Sequence, residues 1–164
     1  MKYDLSIMYS GGLDSYIAYF YAKDLGYNPI LINLDLGHPY ADTERKAMAK
    51  LGLEFTSMQI DLFDKIKNRM VNQIIPSRNI LLSVVGSMFS GRVWICALDG
   101  EQLGKENDKS PKFYKDTSNL LSYTNNFFQD NTIIESPFSN KSKKELIQWA
   151  LLNNVPHLDK TSSC

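Results

Sequence analysis

Six residues, Ser10-Gly11-Gly12-Leu13-Asp14-Ser15, restrict what this chain can fold into more than any other stretch. An apolar run (Leu5, Ile7, Met8) precedes them, and apolar residues at helical spacing (Tyr16, Ile17, Tyr19, Phe20, Ala22, Leu25) follow. The order is strand, glycine turn, helix. Adjacent glycines permit positive φ and let a ligand approach the backbone without a Cβ in the way. The helix that follows directs unpaired N–H groups and its positive dipole end into the same turn. Ser10 and Ser15 add hydroxyl donors, so the stretch has the makings of a phosphate-binding loop. The plainer alternative is a tight turn in which Asp14 or Ser15 caps the helix. The loop has no Lys at the position required by G-x-x-x-x-G-K-[ST], which excludes that phosphate-loop type.

The same alternation continues through the chain. Strands are predicted at 3–9, 29–34, 54–60, 92–97 and 133–135. Helices are predicted at 14–25, 41–51, near 62–72, at 79–89 and at 142–153. Strand and helix in alternation specify an α/β fold: one three-layer domain over 1–164, with a mostly parallel five-stranded sheet and helices on both faces. Right-handed crossovers then bring the loops after the first, second and fourth strands to one rim of the sheet. Residues 98–117, with Gly100, Gly104, Pro111 and many charges, break the pattern and read as a functional loop or lid.

Charge narrows the partners. Eighteen basic side chains balance eighteen acidic ones, which argues against an extended nucleic-acid surface and for small-molecule partners. No apolar run approaches the roughly 18 residues of a membrane span, and no signal-peptide pattern opens the chain. Two cysteines, Cys96 and Cys164, make no disulfide framework, and a cytoplasmic location is expected.

Three further stretches can carry chemistry. Asp35-Leu36-Gly37-His38 lies beyond the second strand, where a carboxylate can meet a metal or a ribose, or simply serve a turn. Arg78, one of four arginines, precedes a helix; it can grip a phosphate or carboxylate with paired N–H donors, while Asn79 reads as the helix N-cap. Asp108 and Lys109 close the irregular segment, where Lys109 can face an anion and Asp108 an amino group, or both can be solvated. Ser142 and Glu145 fit a capping box. Lys143 sits at the positive end of that helix, a poor place for a cation unless an anion lies close by. His38 and His157 have no partner at metal-ligand spacing and read as surface or core residues. Cys96, inside a predicted core strand, reads as inert.

Taken in order, these pieces resemble the 7-cyano-7-deazaguanine synthases, a family of the PP-loop ATP pyrophosphatases. Ser10–Ser15 is similar to their S-G-G-L-D-S, and Leu34-Asp35-Leu36-Gly37-His38 to their F-D-Y-G-Q, with His38 in place of Gln. Ile75-Pro76-Ser77-Arg78-Asn79 resembles V-P-G-R-N, with Ser77 in place of Gly. Asp108 to Phe113 echoes D-x-R-P-E-F, and Pro137 to Glu145 resembles P-L-x-x-x-S-K-x-E. Asn154-Val155-Pro156 with Thr161-Ser162-Ser163-Cys164 is similar to G-V-P-x-x-x-T-W-S-C.

The resemblance implies an adenine-nucleotide α-hydrolase-like fold and an ATP-dependent, AMP-forming carbon–nitrogen ligase of queuosine biosynthesis. Its substrates would be ATP, 7-carboxy-7-deazaguanine and ammonia. On that reading Ser10, Gly11, Gly12, Leu13, Asp14, Ser15 and Asp35 hold ATP, with Mg²⁺ carried mainly on phosphate oxygens. Arg78 and Lys143 stabilise charge near the α-phosphate, and Asn79, Asp108 and Lys109 meet the deazaguanine. The resembled family continues into a zinc lobe with three more cysteines. The sequence here ends at Cys164, so zinc is not expected, residues 157–164 are expected to be loose, and a second subunit could lie across the rim as a homodimer. A tRNA-thiolating or amidating PP-loop enzyme, or a nucleotide-binding module without catalysis, remain the alternatives.

Overall fold

The computed structural model describes residues 2–98, 107–128 and 131–162. Five parallel strands form one sheet: β1 (Leu5–Met8), β2 (Pro29–Asp35), β3 (Thr56–Gln59), β4 (Arg92–Trp94) and β5 (Ile133–Glu135). The helices are α1 (Leu13–Asp24), α2 (Ala41–Leu51), α3 (Phe63–Ile66), α4 (Arg78–Ser87), α5 (Pro111–Thr124) and α6 (Lys143–Leu152). The α/β three-layer, Rossmann-like fold expected from the alternation is what the chain adopts.

Strand alternation decides which side chain enters which layer. Along β1, Leu5 and Ile7 join Tyr16, Ile17, Phe138 and Leu146 in a core shared with α1 and α6. Met8 points to the opposite face, into a second core with Ile32, Leu82, Val93 and Ile134. Ser6 lies on that second face too, its hydroxyl donating to the Gly86 carbonyl of α4 at 2.9 Å. Gly86 is obligatory there: a Cβ would lie 2.5 Å from Cγ1 of Val93, so only glycine lets α4 come this close to the sheet.

The strand order is β3-β2-β1-β4-β5. The chain leaves β1 outward through β2 to β3, then returns to the other side of β1 for β4 and β5. Right-handed crossovers in opposite senses place helices on opposite faces. They also open a crevice at the carboxyl ends of β1 and β4, where the loops diverge.

The elements differ from the sequence reading in detail. Only Phe63–Ile66 and a 3₁₀ turn at Lys67–Arg69 are helical in 62–72. β4 stops at Trp94, so Cys96 lies beyond the strand and is half-buried rather than enclosed in the core. The irregular segment ends earlier than expected, because α5 begins at Pro111. Ser110 caps it, its hydroxyl accepting from the Phe113 N–H at 3.1 Å. Serine followed by proline is a helix start, and that signal was present in the sequence. Residues 99–106 of the expected lid lie outside the described residues, as does Cys164. Residues 157–162 are not loose: the Ser162 N–H donates to the Gly11 carbonyl at 2.9 Å, and a 3₁₀ turn at Leu158–Lys160 leads into it.

Candidate functional site

A cleft of about 270 Å³ occupies the crevice between the β1 and β4 tips. Ser10, Gly12, Leu13, Asp14 and Ser15 form its floor, and Ile95, Cys96 and Ala97 line it from beyond β4. Arg78, Asn79, Lys109 and Lys143 stand around the rim. Gly11, Asp35 and Asp108 are not on its wall.

The floor is built from two glycines with different tasks. Gly11 takes the left-handed conformation at φ +73, and a Cβ there would sit 2.9 Å from Cγ of Met48. Gly12 does not: at φ −72 and ψ 158 it is extended, and it serves as the N-cap of α1. Of the two glycines, both of which permit positive φ, only Gly11 uses it. Having no side chain, Gly12 leaves the first turn of α1 without a side-chain cap, and neither Asp14 nor Ser15 supplies one as the turn-only alternative requires. The Ser15 hydroxyl donates back to the Gly12 carbonyl at 3.2 Å, and Ser10 Oγ accepts weakly from the Gly12 N–H at 3.4 Å.

Three helices start at this cleft. Besides α1, α4 begins at Arg78 from a left-handed Ser77 (φ 57) that makes no side-chain cap bond. Asn79 is thus the second residue of α4 rather than its N-cap. Its side-chain amide donates to the Asp108 carbonyl at 3.1 Å, fastening the segment that presents Lys109. Asp108 contributes that carbonyl, and its carboxylate does not reach the cleft wall. The third start is α6, where Ser142 and Glu145 form the expected capping box. The Ser142 backbone and hydroxyl donors hold the Glu145 carboxyl below its usual range. Lys143 follows and reaches across to Asp14, Nζ to Oδ1 at 3.3 Å. Helix N-termini and three cationic side chains on one cleft make a site for an anion.

A second carboxylate on the cleft, besides that of Asp14, is one the sequence does not single out. Glu44, in the first turn of α2, lines the cleft, and its Oε2 lies 3.2 Å from Nε2 of the buried His38. Burial pushes the Glu44 carboxyl up, with Asp35 adding to the push and His38 and Arg78 pulling against it. Asp35 turns away from the cleft: one carboxylate oxygen accepts from the Gly37 N–H at 2.9 Å and the other pairs with Arg45, which also reaches Asp42. Tyr9, at the end of β1, also lines the cleft, and burial, with Tyr16 adding, pushes its phenol well above the usual range. Asn33, Cys96 and Ser162 complete the wall and were likewise unforeseen. The helical spacing of α2 from Ala41 would have put Glu44 one turn from the β2 tip. Nothing local marks Ser162.

Among the described residues no three of His, Cys, Asp and Glu converge on a point that suits a metal ion. No described helix is long and apolar enough to cross a membrane.

No protein-family profile matches the chain, and no curated protein matches it in sequence. In structure it is similar to a predicted subunit of tRNA methyltransferase from Methanocaldococcus jannaschii. The TM-score is 0.63 at 19% identity, over 92% of this chain and 76% of that one. At that identity the likeness establishes the shared α/β fold.

Proposed function

We propose that the cleft binds the phosphates of ATP and that the protein is an ATP-dependent, AMP-forming ligase acting on a carboxylate such as 7-carboxy-7-deazaguanine. The observation that carries this reading is the convergence of the uncapped α1 and α4 starts with Arg78, Lys109 and Lys143 at the β1–β4 switch point. A carboxylate is a poor acyl donor. Its oxygen attacks the α-phosphorus, pyrophosphate leaves, and the resulting acyl-adenylate has AMP as a good leaving group. Ammonia then displaces AMP to give the amide, and a second activation would carry the amide to the nitrile.

Each residue has a task in this scheme. Ser10, Gly12, Asp14, Ser15 and the first N–H groups of α1 receive the pyrophosphate end. Magnesium, when bound, rides on phosphate oxygens and neutralises part of their charge. Arg78 and Lys143 oppose the charge that builds at the α-phosphate, the largest contribution a positioned cation can make. Lys109 and Asn79 face the acyl part. Release of pyrophosphate from ATP on adding the carboxy-deazaguanine tests the reading directly, and no release above background would overturn it.

One observation favours a second reading. Cys96 stands on the cleft wall rather than inside the core, where a thiol could carry sulfur in a thiolating PP-loop enzyme. The structural likeness to a predicted subunit of tRNA methyltransferase from Methanocaldococcus jannaschii is compatible with a tRNA-directed role. Cys96→Ser separates the two, since ligation by ammonia survives that change and sulfur transfer does not.

A further inference from the structure

The sequence predicts loose residues over 157–164, and the structure joins the segment after α6, as far as Ser162, to the loop at Gly11 and Gly12. Val155 is buried, the Tyr16 hydroxyl of α1 donates to the Pro156 carbonyl at 2.9 Å, and Leu158 packs against the α1-side core. The Thr161 hydroxyl then closes the turn by donating to the Leu158 carbonyl at 2.8 Å. These contacts deliver Ser162 beside Gly12, with which it forms a parallel bridge, and its N–H takes the Gly11 carbonyl at 2.9 Å.

We propose that Ser162 is a binding residue for the terminal phosphates, working in two ways. Its N–H engages the Gly11 carbonyl, so that this oxygen is satisfied by the protein beside an anion-binding floor. Its hydroxyl brackets the space above Gly12. The place a Gly12 Cβ would take lies 3.2 Å from Ser10 Oγ and 3.9 Å from both Oγ and the carbonyl oxygen of Ser162, so the two hydroxyls flank Gly12 on the cleft wall, where a phosphate oxygen seated farther out can accept from them. The ordering of the segment is achieved by contacts outside the cleft, so the hydroxyl arrives preorganised. This inference rests on the ATP reading above and deepens it: the tail of the chain itself completes the floor.

The test is binding of MgATP, MgAMP and inorganic pyrophosphate, measured by calorimetry on the full chain and on Ser162→Ala and Ser162→Thr. Loss of one hydrogen bond to a charged oxygen should weaken ATP and pyrophosphate by about tenfold in Ser162→Ala. AMP, which lacks the terminal phosphates, should respond less than threefold, and Ser162→Thr should restore affinity. The Tm of Ser162→Ala should match the parent, so that lost affinity is not lost folding. Equal ATP and pyrophosphate affinity in Ser162→Ala and parent would overturn the role of Ser162 and leave the ATP reading standing. A parent chain that binds neither ATP nor pyrophosphate would overturn both.

Discussion

The tips of β1 and β2 lie side by side on the same rim, and each carries an acidic residue close to a glycine. They do opposite things with them. At β1, Gly12 leaves a helix start uncapped, and the floor residues line an open cleft. At β2 most of the polar groups are spent on one another: Asp35 on Arg45 and the Gly37 N–H, and Nε2 of His38 on Glu44, with the buried His38 Nδ1 left over. A strand tip in an open α/β sheet becomes a binding surface only where its donors and acceptors have not been satisfied from within. The acid-plus-glycine pattern does not by itself tell the two cases apart.

The same substitution made one residue apart gives the largest contrast. Gly11→Val forces a β-branched residue to φ +73 and drives its Cβ against Met48, which should cost about 3 kcal/mol or more and be seen as a lower denaturant midpoint. Gly12→Val meets no such backbone barrier. It should leave the fold standing and abolish nucleotide binding by filling the cleft floor, and unchanged ATP affinity would sink the assignment of that floor. Arg78→Lys comes next: losing the paired N–H donors should lower the rate at least about tenfold, about 1.4 kcal/mol of transition-state stabilisation. A fall in stability with the rate per folded molecule preserved would make Arg78 structural.

At the β2 tip the expected losses move from ligand to fold. Asp35→Asn should reduce stability by about 1–2 kcal/mol through the Arg45 and Gly37 contacts, with ATP affinity held; lost affinity at full stability would return Asp35 to the site. Glu44 gives the smallest effect, and its sign depends on pH. Its carboxyl titrates higher in the folded chain than in the unfolded one, so the folded state binds the proton more tightly. Stability from this group is full below the ordinary Glu range and falls as pH rises through the raised value. Glu44→Gln should flatten that decline in a series of Tm measurements, and a decline of the same size in the variant would assign it to another group.

How far the sequence reveals such a site depends on distance along the chain. Strand, glycine turn and helix are adjacent residues, so the floor and the parallel sheet were legible from spacing alone. Arg78 and Lys143 were found because each stands at a helix start, where a cation is costly without an anion. Asp35 lies off the cleft wall, held by Arg45 ten residues away on another element, a pairing that leaves no local trace in the sequence. Asn79 was read as a cap, since nothing before the fold shows that Ser77 takes the left-handed turn and becomes the cap itself. Ser162 was missed for the same reason on a longer scale. It reaches Gly11 only after the sheet has brought opposite ends of the sequence together.

The strand order has a consequence for how the molecule is made. β1 emerges from the ribosome before the other strands of the sheet and pairs with the next one, β2, a short-range pairing that forms early. Its other edge waits for β4, more than eighty residues later, because β3 and its following helices are synthesised in between. Through that interval the central strand of the finished sheet is an edge strand of the nascent one, with an unpaired ladder open to any extended chain nearby. The loop at the cleft floor is thus synthesised well before the segment that joins it through Ser162, so the earlier part of the cleft waits for the later one.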